Sequence, residues 1–202
     1  MGLSVVVGGL AELILSDGEG ARWFREEMEK VNVVLQRHGV GYHVEPEIIG
    51  KVHHRGLCSI PYSYLHYLRR IYALMRAGLE VTPLVGDQMS EEEECIVEEA
   101  YMMLDSHLLC HSDAEGYYVP LDFSAPLIDE HITGGILGSS VMLLQELEQI
   151  APFLDISLER APVCEEVCAD ESHAFCRERQ VWVMLYEGAL ASKQHQSVLA
   201  FM

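Results

Sequence analysis

The sequence predicts a helix-dominated α+β fold, a single domain over residues 1–202 with about five helices and a small antiparallel sheet. Half of the 202 residues are hydrophobic and 22% are charged, which is the balance of a soluble protein with a core. Apolar residues recur with helical spacing in several long segments, whereas extended segments are few and short. The strands do not alternate strictly with helices, which argues against a doubly wound parallel sheet.

The first elements follow from apolar spacing and from the residues that end helices. A strand is expected over Leu3–Val7, and an amphipathic helix over Ala21–Arg37 that Gly39 ends. An extended segment is expected near Tyr42. A second helix is predicted over Pro61–Ala77, because proline suits the first turn of a helix.

The third helix is predicted from its start signal. Ser90 and Glu93 have the spacing of a capping box, in which each side chain accepts a hydrogen bond from the other residue's backbone. Four glutamates, Glu91–Glu94, fill the first turn, where negative charge stabilises a helix. We expect its buried face to consist of Ile96, Ala100, Met103 and Leu104.

The later elements are a hairpin and two helices. Apolar-rich runs at Ser106–His111 and Tyr117–Phe123 flank a short turn that contains glycine, which predicts a central β-hairpin. Helices are predicted over Ser139–Ile150 and Glu171–Ala189 from their apolar spacing. A tail, Ser197–Met202, could pair with a second copy of the chain, which makes a homo-oligomer one possibility.

The charge is unevenly placed along the chain. Residues 77–159 contain 18 acidic residues and no Lys or Arg, and they account for nearly all of the net charge of −19. A negative surface repels nucleic acid and anionic membranes, so neither is an expected partner. We therefore predict a non-enzymatic binding protein that engages a basic protein partner, as an inhibitor or an immunity-type factor. The predicted partner-binding residues are Glu91, Glu92, Glu94, Glu98 and Glu99.

Two ordinary explanations compete with that prediction. Acidic side chains also keep proteins soluble without serving a partner. The arginines upstream of residue 77 could in addition pair with the glutamates and cancel the charge within the chain.

A metal site is the alternative functional hypothesis. If the segment from His107 to Asp113 is extended, the side chains of His107, His111 and Asp113 share one face. Two imidazoles and a carboxylate could hold Zn²⁺ or Fe²⁺ and leave room for a water molecule, as in a metal-dependent hydrolase. Histidines satisfied by backbone groups are the competing interpretation.

The cysteines suggest two further sites and a compartment. A structural zinc site could use Cys164, Cys168, His173 and Cys176, although the spacing is loose. Cys58 could be a reactive thiol beside His53 and His54. Six cysteines, with neither a signal peptide nor an apolar stretch long enough to span a membrane, predict a cytoplasmic protein with reduced thiols.

Overall fold

A computed structural model describes residues 2–50, 60–160 and 170–201, which form seven α-helices and one five-stranded sheet. The helices are α1 (Gly9–Ser16), α2 (Gly18–Arg37), α3 (Tyr62–Arg76), α4 (Glu91–Met102), α5 (His107–Cys110), α6 (Ser140–Ile150) and α7 (Cys176–His195). The strands are β1 (Val5–Val7), β2 (Gly116–Val119), β3 (Leu127–Ile128), β4 (Ile136–Ser139) and β5 (Leu199–Phe201). The predicted α+β class is confirmed, and the two short helices α1 and α5 raise the helix count above the five expected.

The sheet has the strand order β1-β5-β2-β4-β3. Strand β2 pairs with β4 in parallel, and the other three pairs are antiparallel. The sheet therefore contains a hairpin, but β3 and β4 form it rather than the segments on either side of residues 112–116. Because β5 lies between β1 and β2, its backbone groups are already paired, and the expected pairing of the tail with a second copy is wrong.

The segment predicted as the first arm of the hairpin is helix α5. The side chain of Ser106 caps this helix by accepting a hydrogen bond from the backbone N–H of Leu109 at 3.0 Å. The buried carboxylate of Glu146, on α6, accepts the backbone N–H groups of His107 at 2.9 Å and Leu108 at 2.7 Å. All of these donors belong to the first turn of α5, so a carboxylate distant in sequence stabilises a helix where local spacing favours a strand.

Helices cover both faces of the sheet. Helices α1 and α2 pack on one face, where Phe24 and Val31 meet the sheet residue Tyr117. Helices α3, α5, α6 and α7 pack on the other face around the fully buried Trp182, whose indole N–H donates to the carbonyl of Leu147 at 2.7 Å. Helix α4 packs outside α3 and contains no buried residue. The predicted buried face is correct only in part: Ile96 and Ala100 are half-buried, with Ala100 against the core, whereas Met103 and Leu104 are exposed.

The segment near Tyr42 forms no strand; instead, the side chain of Asn32 bonds both backbone groups of His43, at 2.7 and 2.8 Å. In the part of the chain that the structure describes, no helix combines the length and the apolar character needed to cross a lipid bilayer.

The cysteine hypotheses fall largely outside the described residues. Cys95, Cys110 and Cys176 are free thiols. Cys58, with His53 and His54, and the pair Cys164 and Cys168 lie in the two internal segments that are not described. The reactive thiol and the structural zinc site thus stay predictions.

Candidate partner-binding face

The N-terminus of α4 is fixed by the predicted capping box. The Ser90 hydroxyl accepts a hydrogen bond from the backbone N–H of Glu93 at 3.3 Å, and the Glu93 carboxylate accepts from the backbone N–H of Ser90 at 2.9 Å. The helix begins at Glu91, as expected. Since the N-terminus of a helix carries partial positive charge, it tolerates the four consecutive glutamates that follow Ser90.

A buried arginine attaches α4 to α3. Arg70 is 1% exposed; its Nε donates to the Glu93 carboxylate at 2.7 Å and its Nη1 to the carbonyl of Thr82 at 2.9 Å. Burial by itself would raise the pKa of Glu93, but the hydrogen bonds from Arg70 and Ser90 outweigh it, so the pKa lies below its ordinary value. Glu93 therefore stays charged and faces inward, which turns the opposite side of α4 outward.

The five predicted partner-binding residues lie on that outward side, and we call them the acidic face: Glu91, Glu92, Glu94, Glu98 and Glu99. All five are exposed, and none forms an ion pair with a described residue. At 100° per residue they occupy an arc of about 160°, and they span about 12 Å along the helix axis. One charge every 2–3 Å, roughly, approaches the density of duplex DNA, about one charge per 1.7 Å of axis.

The arginines of α3 do not neutralise the acidic face. Arg70 pairs with Glu93, Arg69 with Asp113, and Arg76 with Asp105, whose two oxygens accept at 2.6 and 2.8 Å. All three carboxylates lie toward α3 and α5 and outside the acidic face. Among the described residues, the internal cancellation considered from sequence is thus limited to inner carboxylates, and the outer five form no ion pair.

The structure does not assemble the predicted metal site. His107 is fully buried, and its Nδ1 accepts the backbone N–H of Ser139 at 2.9 Å. Its Nε2 lies 3.0 Å from the carbonyl of Phe123 and donates to it, since a neutral imidazole has one donor and one acceptor. Both nitrogens of His107 are occupied, so no lone pair is available to a metal ion.

The other two predicted ligands have different neighbours. The ring of His111 is buried and stacks on Tyr118 with 4.0 Å between centroids, while Asp113 binds Arg69 and His66. Because α5 is helical, the alternation that would have aligned the three side chains is absent. In the described ranges, no group of three His, Cys, Asp or Glu side chains is placed to hold a metal ion. The zinc or iron site at His107, His111 and Asp113 is therefore contradicted.

A cleft of about 570 Å³ lies beside the acidic face, between α3, α4 and α5. We call it the apolar cleft, after the walls that Val97, Tyr101, Met102, Leu109 and Ile136 provide. Glu98 stands at the same cleft and belongs to the acidic face as well. The cleft is not visible in the sequence because its walls come from segments far apart in the chain.

Replacing Ser90 by alanine tests how far the capping box stabilises α4. The change removes the hydroxyl that accepts from Glu93, and we expect it to lower the free energy of unfolding by about 1 kcal/mol. Urea unfolding followed by circular dichroism measures the change. The exposed Ser124, replaced by alanine, serves as the control and should stay within about 0.5 kcal/mol of the parent. Equal effects of the two changes would contradict the role of the cap.

Comparison with protein-family models matches residues 1–201 to the family described as "Putative DNA-mimic protein". Neither the curated proteins nor the solved structures contain a match to this chain.

This description names a different class of partner from the one predicted. A DNA mimic takes the place of DNA on a protein that binds DNA, so the partner is defined by its nucleic-acid site. The predicted basic protein partner, with its inhibitor or immunity-type role, is wrong on this finding, and so is the alternative of a metal-dependent hydrolase. The prediction of a non-enzymatic acidic binding protein fits the description. Since the match covers nearly the whole chain, the protein belongs to this DNA-mimic family.

Proposed function

We propose that this protein is a DNA mimic that occupies the DNA site of a DNA-binding protein through the acidic face of α4. The observation that carries the proposal is the set of five exposed glutamates, none of which forms an ion pair with a described residue. Proteins hold the DNA backbone largely through contacts to phosphate oxygens, and closely spaced carboxylates offer similar acceptors to the same donors. The family description supports DNA mimicry independently of the charge.

The placement of α4 suits it to this task. Only one side of the helix packs on the rest of the protein, so the acidic face projects from the fold and can enter a concave DNA site. A DNA site that attracts phosphates would also be steered toward these carboxylates, which would raise the association rate. The attachment through Arg70 and Glu93 holds the charges in place before binding, which lowers the entropy lost on association.

We include a location inside the cell in this proposal and retain the cytoplasmic prediction as part of it. DNA-binding partners and the free thiols of Cys95, Cys110 and Cys176 both suit a reducing compartment.

Elution by DNA tests the proposal directly. The protein is immobilised, exposed to a cell extract at low ionic strength, washed, and treated with an excess of duplex DNA. We expect DNA to release bound proteins that themselves bind the duplex, because the acidic face and DNA would compete for one site. Release of no protein by DNA, or release only of proteins without affinity for DNA, would overturn the proposed function.

Neutralising the acidic face should abolish most of this binding. We expect the fivefold change of Glu91, Glu92, Glu94, Glu98 and Glu99 to glutamine to weaken binding to the released proteins at least about tenfold, because charge pairs across an interface are lost. Fluorescence anisotropy at two salt concentrations measures the affinity, and the variant should also show a weaker salt dependence.

The matched control neutralises five exposed glutamates elsewhere: Glu12, Glu19, Glu26, Glu29 and Glu130. Four of these lie on α1 and α2, which pack on the opposite face of the sheet from α3. The control carries the same net charge as the test variant and should bind like the parent. Equal loss in both variants would show that total charge, rather than the acidic face, determines binding.

A further inference from the structure

The last turn of α4 and the two residues after it expose apolar side chains that follow the glutamates. Tyr101 is 42% exposed, Met102 73%, Met103 65% and Leu104 41%. Leu104 also has a positive φ of 52°, a conformation that is rare for leucine, and it closes the helix by donating its N–H to the carbonyl of Tyr101 at 3.0 Å. Contiguous exposed apolar residues next to a charged surface mark an interaction site.

The apolar cleft opens beside these residues. Its volume of about 570 Å³ lies in the range of pockets that enclose small ligands, and it accommodates a large apolar side chain. Tyr101 and Met102 line the cleft and belong to the exposed stretch, while Glu98 borders the same space. The acidic face and the apolar cleft therefore form one continuous surface.

The cleft offers little to an anionic ligand, because both of its cationic candidates, Arg69 and His66, are paired with Asp113. Arg69 donates to the carbonyls of Leu108 and His111 and to the Asp113 carboxylate, so its guanidinium is already occupied. Glu98 adds negative charge at the cleft. An uncharged apolar group flanked by donors to carboxylates is the complementary ligand.

An apolar group beside cationic residues is the pattern found in DNA-binding sites that bend DNA. Proteins that bend DNA insert an apolar wedge, such as Phe, Leu, Ile, Met or Pro, between base steps, and cationic residues beside the wedge contact the phosphates. We infer that the apolar cleft receives such a wedge, so that the partner is a DNA-binding protein that inserts an apolar side chain into the base stack. The inference rests on the proposed function and narrows its partner class. In this arrangement the cleft replaces the gap between unstacked base pairs, and the acidic face replaces the neighbouring phosphates.

A cycle of variants tests the inference. The probe is a purified HMG-box domain, which inserts an apolar wedge, together with its own wedge-to-serine variant, which keeps the phosphate contacts. Two variants of the protein alter the cleft: Val97→Phe fills it, and Met102→Ser removes part of its apolar wall. Val33→Ser on α2 is the control, because Val33 is 54% exposed on the opposite side of the sheet. Isothermal titration at fixed salt gives each dissociation constant, and displacement of a labelled duplex shows whether binding uses the DNA site.

We expect the parent protein to bind the wedge-containing probe at least about tenfold more tightly than the serine variant. Val97→Phe and Met102→Ser should each bring the ratio of the two dissociation constants, for the serine variant and for the wedge-containing probe, toward one. Val33→Ser should leave this ratio unchanged. Because Met102 is exposed, its variant should fold even if the Val97 variant does not.

Three other outcomes overturn the inference. Equal affinity for both probes, with DNA still displaced, overturns the wedge and leaves the proposed function standing. Binding to neither probe overturns the inference and counts against the proposed function as well. A change from dimer to monomer on Met102→Ser, seen by native mass, would show that a second copy covers the cleft.

Discussion

Replacing Arg70 by methionine is expected to lower the free energy of unfolding by about 3–5 kcal/mol, because it breaks a buried ion pair. The Arg70 side chain is almost fully buried and donates to Glu93 and to the carbonyl of Thr82. Without it, the Glu93 carboxylate, which is 20% exposed, would lose its cationic partner. The attachment of α4 to α3 would weaken, so we also expect faster hydrogen exchange throughout α4.

Denaturant unfolding of two further variants tests whether the lost ion pair causes the loss of stability. Combining Arg70→Met with Glu93→Gln should recover part of the loss, since no unpaired carboxylate then remains. Arg76→Met removes a more exposed arginine, whose side chain is 30% exposed and pairs with Asp105; we expect a loss of at most about 1 kcal/mol. If Arg70→Met cost no more than Arg76→Met, Arg70 would not anchor the helix.

Acid should destabilise the protein through its buried histidines. Burial lowers the pKa of His107 and of His111 from 6.5 to about 4. Above pH 6.5 both histidines are neutral in the folded and the unfolded state, so their contribution to the free energy of unfolding is at its maximum. Between pH 6.5 and 4 the unfolded chain binds protons that the folded protein does not, so the free energy of unfolding falls as the pH falls. Each histidine contributes up to about 3 kcal/mol across this window.

Glu146 has the opposite effect on the pH dependence of the free energy of unfolding. Its burial raises the pKa from 4.5 to about 7, although hydrogen bonds from Leu108, His107 and Ser106 lower it. The folded protein therefore binds this proton more readily than the unfolded chain, and stability increases as the pH falls from 7 to 4.5. Among these three groups, the two histidines outweigh the one glutamate, so together they lower the free energy of unfolding in acid.

Comparison of pH profiles isolates the contribution of His107. We expect His107→Gln to be less stable than the parent at pH 7, because it disturbs the bonds to Ser139 and Phe123, but to lose less stability between pH 6.5 and 4. Urea titrations at several pH values measure both effects. His38 is exposed, and His38→Gln serves as the control, whose pH profile should match that of the parent. A profile of the His107 variant parallel to that of the parent would contradict the low pKa.

Local patterns predicted much of this structure. The helical spacing in α2 and α3 and the capping box at Ser90 were sufficient because each depends on residues a few positions apart. The exposure of the five glutamates was also predictable, since charged side chains are seldom buried without a partner.

The predictions that were wrong concern features that depend on residues far apart in the chain. Helix α5 is stabilised by the carboxylate of Glu146 as well as by the cap at Ser106, and the contact with Glu146 is not visible within residues 106–113. The metal hypothesis assumed an extended segment there and failed for the same reason. The burial of α4 was overestimated because the helix lies at the margin of the fold, where Ile96 and Ala100 are only half-buried. The class of partner was not encoded in charge alone, which describes the potential of a surface and leaves the identity of its ligand open.

The central position of β5 has a consequence for the kinetics of folding. The sheet unites Val5 with Phe201, and the hydroxyl of Ser197 accepts from the backbone of Gly8 across 189 positions of the chain. Closing so long a loop is entropically costly and slows the search for the native topology. Until β5 inserts, the facing edges of β1 and β2 stay open to other chains, so newly made molecules would be most prone to aggregation during that interval.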